Sequence, residues 1–127
     1  MLITQADKWF SKCVRERSGW RCEVCGTQYP AGAQGLHCSH FVGRGNWAVR
    51  HDPINADAHC FGCHMHFEGN PHEHTEWKRK QLSDKYDLLI EKSNNIMLGK
   101  QAKKDKAEMA KHYKKEYERL LEYRSNG

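Results

Sequence analysis

Two Cys-x-x-Cys pairs, Cys22-Glu23-Val24-Cys25 and Cys60-Phe61-Gly62-Cys63, constrain this chain more than any other feature. A tetrahedral zinc ion takes four soft ligands, and each such turn sets two thiolates about one point. The 34 residues between the pairs leave room for a hairpin. The expected arrangement is therefore a treble clef, with a knuckle over residues 20–27 and the second pair at the start of a helix. Gly26 permits the backbone reversal of the knuckle. The N-terminal MLITQADKWF lacks a basic run leading into a long apolar segment. No stretch reaches membrane-spanning length either, so the chain reads as soluble and cytoplasmic with no membrane partner. Disulfides are disfavoured in that reducing setting. Cys60-Phe61-Gly62-Cys63-His64 also fits the pattern of c-type haem attachment, but that chemistry belongs to exported proteins and leaves Cys22 and Cys25 without a role. Cys13 and Cys38 are assigned to packing.

A metal staple suits the composition. The chain has 127 residues, 29% of them charged, and a mean hydropathy of −0.95, so its core is small for its surface. One domain is expected, with a helix over 1–19, a zinc-stapled core over 20–70 and a helical extension over 71–127. The net charge of +5 and pI near 8.9 suit a polyanionic partner. Residues 1–70 carry seven Lys/Arg against six Asp/Glu, and residues 71–127 carry fourteen against ten. The positive excess thus falls in the tail, where a solvated helix face is the first reading and a backbone-gripping surface the second.

Periodicity places the elements. Thr4–Ser18 reads as an amphipathic helix, started by Thr4 with Asp7 and ended by Gly19, with Trp9, Phe10, Cys13 and Val14 on one side. Leu36–Phe41 and Trp47–Arg50 read as two strands of a hairpin across residues 42–46, with Pro53 breaking the second. Asn55 then opens a turn into a helix bearing Cys63, His64 and Phe67, which Gly69-Asn70-Pro71 stops. Glu73–Leu82 and Asp84–Ser93 are expected as helices parted near Ser83, followed by a break marked by Asn94, Asn95 and Gly99. Lys100–Tyr123 is expected as one long helix. Its Met109, Tyr113, Tyr117, Leu120 and Leu121 stripe would pack on its own domain or on a second copy, as a homodimer. The fold class is α+β.

Within this frame lies a His–Asn–His series, with His40 fifteen residues before Asn55 and His64 nine after it. Its order and spacing match the HNH motif of ββα-metal nuclease cores, where hairpin and helix gather such residues about one cation. Phosphodiester hydrolysis needs a base for water, which imidazole supplies near neutral pH. It also needs a divalent cation against the charge of the leaving oxygen. His40 is assigned as general base and His64 as ligand of a catalytic Mg²⁺ or Mn²⁺, helped by His37 or Asn55. The asparagine has a second possible role, holding the hairpin through its backbone. Arg44 and Arg50 are candidate DNA phosphate contacts. The expected activity is metal-dependent DNA endonuclease. The alternative is a zinc-containing DNA-binding recombination accessory protein without catalysis.

Cys22-Glu23-Val24-Cys25-Gly26-Thr27, His40-Phe41, Arg50-His51-Asp52 leading to Asn55, Cys60-Phe61-Gly62-Cys63 and Gly69-Asn70 together resemble the NinG/Rap recombination proteins of lambdoid phages, a branch of the HNH (His-Me finger) endonucleases. The likeness spans about residues 20–71. It implies a nuclease acting on branched DNA during phage or prophage recombination in a bacterial host. Two positions depart from the family pattern: His64 stands where the family has asparagine, and His37 where it has aspartate.

Overall fold

The computed structural model describes residues 2–126. Helix α1 spans Gln5–Arg17 and starts with a capping box: Asp7 N–H donates to Thr4 Oγ1 at 3.1 Å, and Thr4 N–H donates to Asp7 Oδ2 at 2.8 Å. Two left-handed residues, Gly19 and Trp20, turn the chain away from it. The Trp20 indole is buried and donates to Glu16 Oε1 at 3.2 Å, which fixes the entry to the knuckle. Gly26 at φ +78° then closes the knuckle, with its N–H on the Cys22 carbonyl at 2.9 Å.

Strands β1 (Leu36–His40) and β2 (Ala56–Cys60) pair antiparallel, with Leu36 opposite Cys60 and His40 opposite Ala56. This corrects the expected hairpin. Trp47–Arg50 is a run of turns, and the true partner strand is ADAHC, which begins six residues after the expected strand ends. The reason is tertiary. Arg50 is drawn out of any ladder by Asp7 of α1, at 2.9 Å from Nε and 2.6 Å from Nη2. Strand β2 is buried along Ala56–His59 because helices cover both its faces, so its polar residues lie inside, paired or packed between rings. Asp57 receives the fully buried Lys78 ammonium at 2.7 Å and also bonds Gln81.

Helix α2 (Phe61–Gly69) follows β2 directly, capped by Cys60. Helices α3 (Pro71–Leu82) and α4 (Lys85–Ser93) part at Ser83, as expected. The next expectation fails. In place of one helix over Lys100–Tyr123 there are α5 (Ile96–Lys104) and α6 (Lys106–Asn126), divided at Asp105. The Asp105 N–H returns to the carbonyls of Gln101 and Ala102. Gly99 is no breaker: it lies inside α5, packed beside the 41–55 loop, where an added Cβ would meet Ala48 N at an ordinary contact distance of 3.4 Å.

The core has two parts. Phe10, Cys13, Val14, Ala56 and Tyr113 form one, with Trp9, Met109, Tyr117 and Leu120 around it. The α6 stripe therefore packs on the chain's own α1, with Phe10 and Tyr113 rings edge-on at 5.0 Å. Trp20, Cys22, Leu36 and Ala58 form the other, beneath the knuckle. Among the described residues, no helix is long and apolar enough to cross a membrane.

Candidate functional site

The ligand atoms of Cys22, Cys25, Cys60 and Cys63 all lie within 4.8 Å of one another. Cys25 and Cys60, from different pairs, have their sulfurs 3.8 Å apart. Four thiolates at the usual Zn–S bond length about a tetrahedral ion sit about 3.8 Å apart. The cluster is thus able to hold a structural metal such as zinc. Its supports are local: the Cys63 N–H points at Cys60 Sγ at 3.4 Å, and Thr27 hydrogen bonds pull the Cys25 thiol down to about 6. Because both pairs converge, the Cys-x-x-Cys-His run is half of a four-thiol cluster. Cys13 and Cys38 lie apart from it, each pushed up to about 12 by burial, and Cys13 donates to the Tyr113 carbonyl at 3.2 Å.

A cleft of about 660 Å³ lies over β1, which is an edge strand of the two-stranded sheet. His37, Cys38 and His40 of β1 line it, with His64 of α2 and Arg44 of the loop. His40 is the best-defined group in the cleft. Its Nε2 lies 2.9 Å from the Arg50 carbonyl oxygen. A carbonyl only accepts, so Nε2 carries the proton and Nδ1 of the neutral ring keeps its lone pair. Burial moves the ring down to about 4, outweighing the opposing pull of the Arg50 carbonyl. His40 is therefore a neutral imidazole at neutral pH.

The Arg50 carbonyl is in turn fixed through its own side chain. The guanidinium is 2% exposed and grips Asp7 through two nitrogens, while Nη1 and Nη2 reach the carbonyls of Arg44 and Leu2. His51 Nε2 meets the same carboxylate at 2.8 Å. Burial alone would raise the Asp7 pKa, but Arg50, the Thr4 N–H and His51 outweigh it and hold the carboxyl below its ordinary range. This places Arg50 as an internal brace, and the expectation that it touches DNA phosphate is corrected. Arg44 does line the cleft.

Asn55 is fully buried, and its amide serves the backbone. Oδ1 accepts from Val42 N at 2.8 Å, and Nδ2 donates to the carbonyls of Val42 at 2.9 Å and Val49 at 3.1 Å. Its side chain thus clasps both ends of the loop that carries Arg44 and presents Arg50 to His40. It does not line the cleft.

His37 and His64 stack with ring centres 5.5 Å apart and planes 12° from parallel, and His64 Nδ1 lies 3.3 Å from Ser39 Oγ. Burial, then His64 and Arg15, lower the His37 pKa, which favours the neutral ring, whose one unprotonated nitrogen has a lone pair to offer a cation. The three cleft histidines do not converge as the thiols do. Among the described residues, the cysteine group is the one set of three or more His, Cys, Asp or Glu close enough to surround an ion. A cation at His64 and His37 would draw its remaining ligands from water and substrate oxygens, as Mg²⁺ commonly does. Residues not anticipated from the sequence also line the cleft, chiefly Lys8, Ser11, Lys12 and Arg15 of α1. Their signal was present as basic residues at i, i+4 and i+7 of one helix.

Compared with known proteins, the chain matches no family model, no curated sequence and no solved structure.

Proposed function

We propose that this chain is a metal-dependent phosphodiester hydrolase built on a zinc-stapled ββα core. More particularly, it is a DNA endonuclease of the HNH kind, similar to the NinG/Rap proteins and acting in phage or prophage recombination, with branched DNA among its substrates. The observation that carries this reading is His40: a neutral imidazole with its tautomer set by the Arg50 carbonyl, on a cleft shared with His37, His64 and Arg44. That combination suits a general base beside a bound phosphate.

His40 Nδ1 takes a proton from water as the water oxygen attacks phosphorus. The bond to the 3′ oxygen breaks, leaving a 5′-phosphate and a 3′-hydroxyl that is protonated from solvent. Arg44 binds a non-bridging phosphate oxygen. Asn55 holds the loop so that Arg44 and the Arg50 carbonyl keep their places. His64 and His37 would hold a catalytic Mg²⁺ or Mn²⁺, which would supply positive charge against the leaving oxygen. Cys22, Cys25, Cys60 and Cys63 would hold a zinc ion, which would keep the knuckle against the hairpin and α2.

The looseness of the histidine group favours a second reading, a zinc-containing DNA-binding accessory module without catalysis. Incubation of supercoiled plasmid and of a four-way junction with the protein in Mg²⁺ or Mn²⁺ separates the two. The wild type is expected to nick or linearise DNA. His40→Ala is expected to lose about 10²–10⁴-fold in rate while keeping its zinc and DNA affinity. Absence of cutting by the wild type in either metal, across a range of salt, leaves the binding module as the reading.

A further inference from the structure

On the solvent side of α1, Lys8, Lys12 and Arg15 form a stripe, and all three line the histidine cleft. Lys12 and Arg15 also line a second cleft of about 270 Å³, together with Trp20, Ala31, Gly32 and Tyr117. The two clefts therefore share a wall, and that wall is basic.

The charge of this stripe is not neutralised within the protein. Among the described residues, the ion pairs of the chain include none made by Lys8, Lys12, Arg15 or Arg44. Nearby carboxylates are committed elsewhere, Asp7 to Arg50 and His51, and Glu16 to Trp20 and Arg124. Of the residues lining the cleft, only Glu68 and Asp7 are acidic. Aromatic rings hold the cations in place. Lys8 Nζ lies 5.0 Å from the centre of Trp9, Lys12 Nζ 5.4 Å from that of Tyr117, and the Arg15 guanidinium 5.0 Å from that of Trp20. Lys114 of α6 adds a further cation 5.7 Å from the Trp9 ring. Such contacts orient a cation without cancelling its charge. Arg15 is half-buried with no carboxylate partner, and a cation so placed gains most from an incoming anion.

We propose that α1 is the strand-guiding element of this protein: Lys8, Lys12 and Arg15 bind successive backbone phosphates of a DNA strand that leaves the histidine cleft past Tyr117 and Trp20. The stripe spans seven residue steps of helix, from Lys8 to Arg15, about 10 Å at 1.5 Å per residue. That length equals about three phosphate-to-phosphate steps of one strand at 3.4 Å of axial rise each. The identity of the polyanion rests on the nuclease reading; the track itself would serve a non-catalytic DNA-binding module equally well. It also moves the binding surface away from the basic tail, since Lys103, Lys104 and Lys106 do not line the cleft.

The test reads binding apart from cleavage. Fluorescence anisotropy with a labelled 30-base-pair duplex, without added Mg²⁺ or Mn²⁺, gives the affinity between 50 and 200 mM NaCl, and hence its salt slope. Lys8→Gln/Lys12→Gln/Arg15→Gln is compared with Lys103→Gln/Lys104→Gln/Lys106→Gln and with the wild type. Lys8→Gln/Lys12→Gln, which spares the half-buried Arg15, guards against misfolding, and circular dichroism checks each variant. The α1 triple variant is expected to lose about 10²-fold in affinity at 0.1 M salt, with a log–log salt slope shallower by about 2.7. The double variant should lose about 1.8 of slope, and the tail variant should match the wild type. An α1 variant within twofold of wild type overturns the proposal, as does an equal loss in the tail variant or a wild type that fails to bind at 50 mM salt. If the α1 variants behave as expected but the wild type cuts no DNA in Mg²⁺ or Mn²⁺, the track stands and the nuclease reading fails.

Discussion

Asp7→Asn isolates the brace behind His40. The Asp7 carboxylate is 7% exposed and meets Arg50 at two points, His51 at a third and the Thr4 N–H at a fourth. The substitution keeps the shape and removes the charge, leaving the buried Arg50 guanidinium without its counter-ion. Breaking a buried pair from one side costs about 3–5 kcal/mol. For a chain of this length the entropy of unfolding is about 0.27 kcal/mol/K, so 4 kcal/mol corresponds to a fall of about 15 °C in Tm. Differential scanning calorimetry at pH 7 measures it. The pH dependence provides a second check. The folded-state pKa of Asp7 is depressed, so its contribution is present above the ordinary carboxylate pKa near 3.9 and is lost as pH falls below that value. The Tm gap between wild type and Asp7→Asn should therefore narrow as pH falls below about 4. A shift under about 4 °C at pH 7, or a gap that widens in acid, would refute the reasoning.

Other expectations follow from the same contacts. Replacing Asn55 with Ala leaves Val42 N–H and the carbonyls of Val42 and Val49 without their buried partner. Urea unfolding should show a loss of about 3 kcal/mol or more. For Cys25→Ser, or wild type treated with a strong chelator, zinc content by atomic absorption should fall from one ion per chain towards none, with a lower Tm, because binding energy at such a site is folding energy. His40 is held down to about 4, so the acid limb of kcat/KM for DNA cleavage should fall near pH 4, with the active neutral ring present above it. A limb near 6.5 would mean that the ring is not buried during turnover.

Local chemistry wrote several parts of this fold into the sequence. The capping box needs only Thr4 and Asp7 three residues apart, and the knuckle needs only two cysteines and a glycine able to reach φ +78°. The convergence of Cys22, Cys25, Cys60 and Cys63 was legible because a metal site demands a fixed number of soft ligands on short turns. The spacing of His40 and His64 about Asn55 singled them out, and both line the cleft, although they do not converge on one point as the thiols do.

The remaining features were decided at longer range. Trp47–Arg50 looks like a strand by composition, yet Asp7, 43 residues from Arg50, draws it into turns. Ala56–Cys60 is too polar to read as a buried strand until Lys78 and the rings of Phe67, His74 and Trp77 close over Asp57 and His59. Gly99 reads as a breaker by residue type, yet it lies inside α5 because that segment packs beside Ala48, 51 residues away. The same holds for the basic stripe on α1, three ordinary solvent-face residues until the hairpin sets a histidine cleft beside them. Short-range rules of capping, turning and ligand count act within a few residues and survive in any context. Burial and ion pairing depend on which distant segments meet, and only the folded chain supplies that.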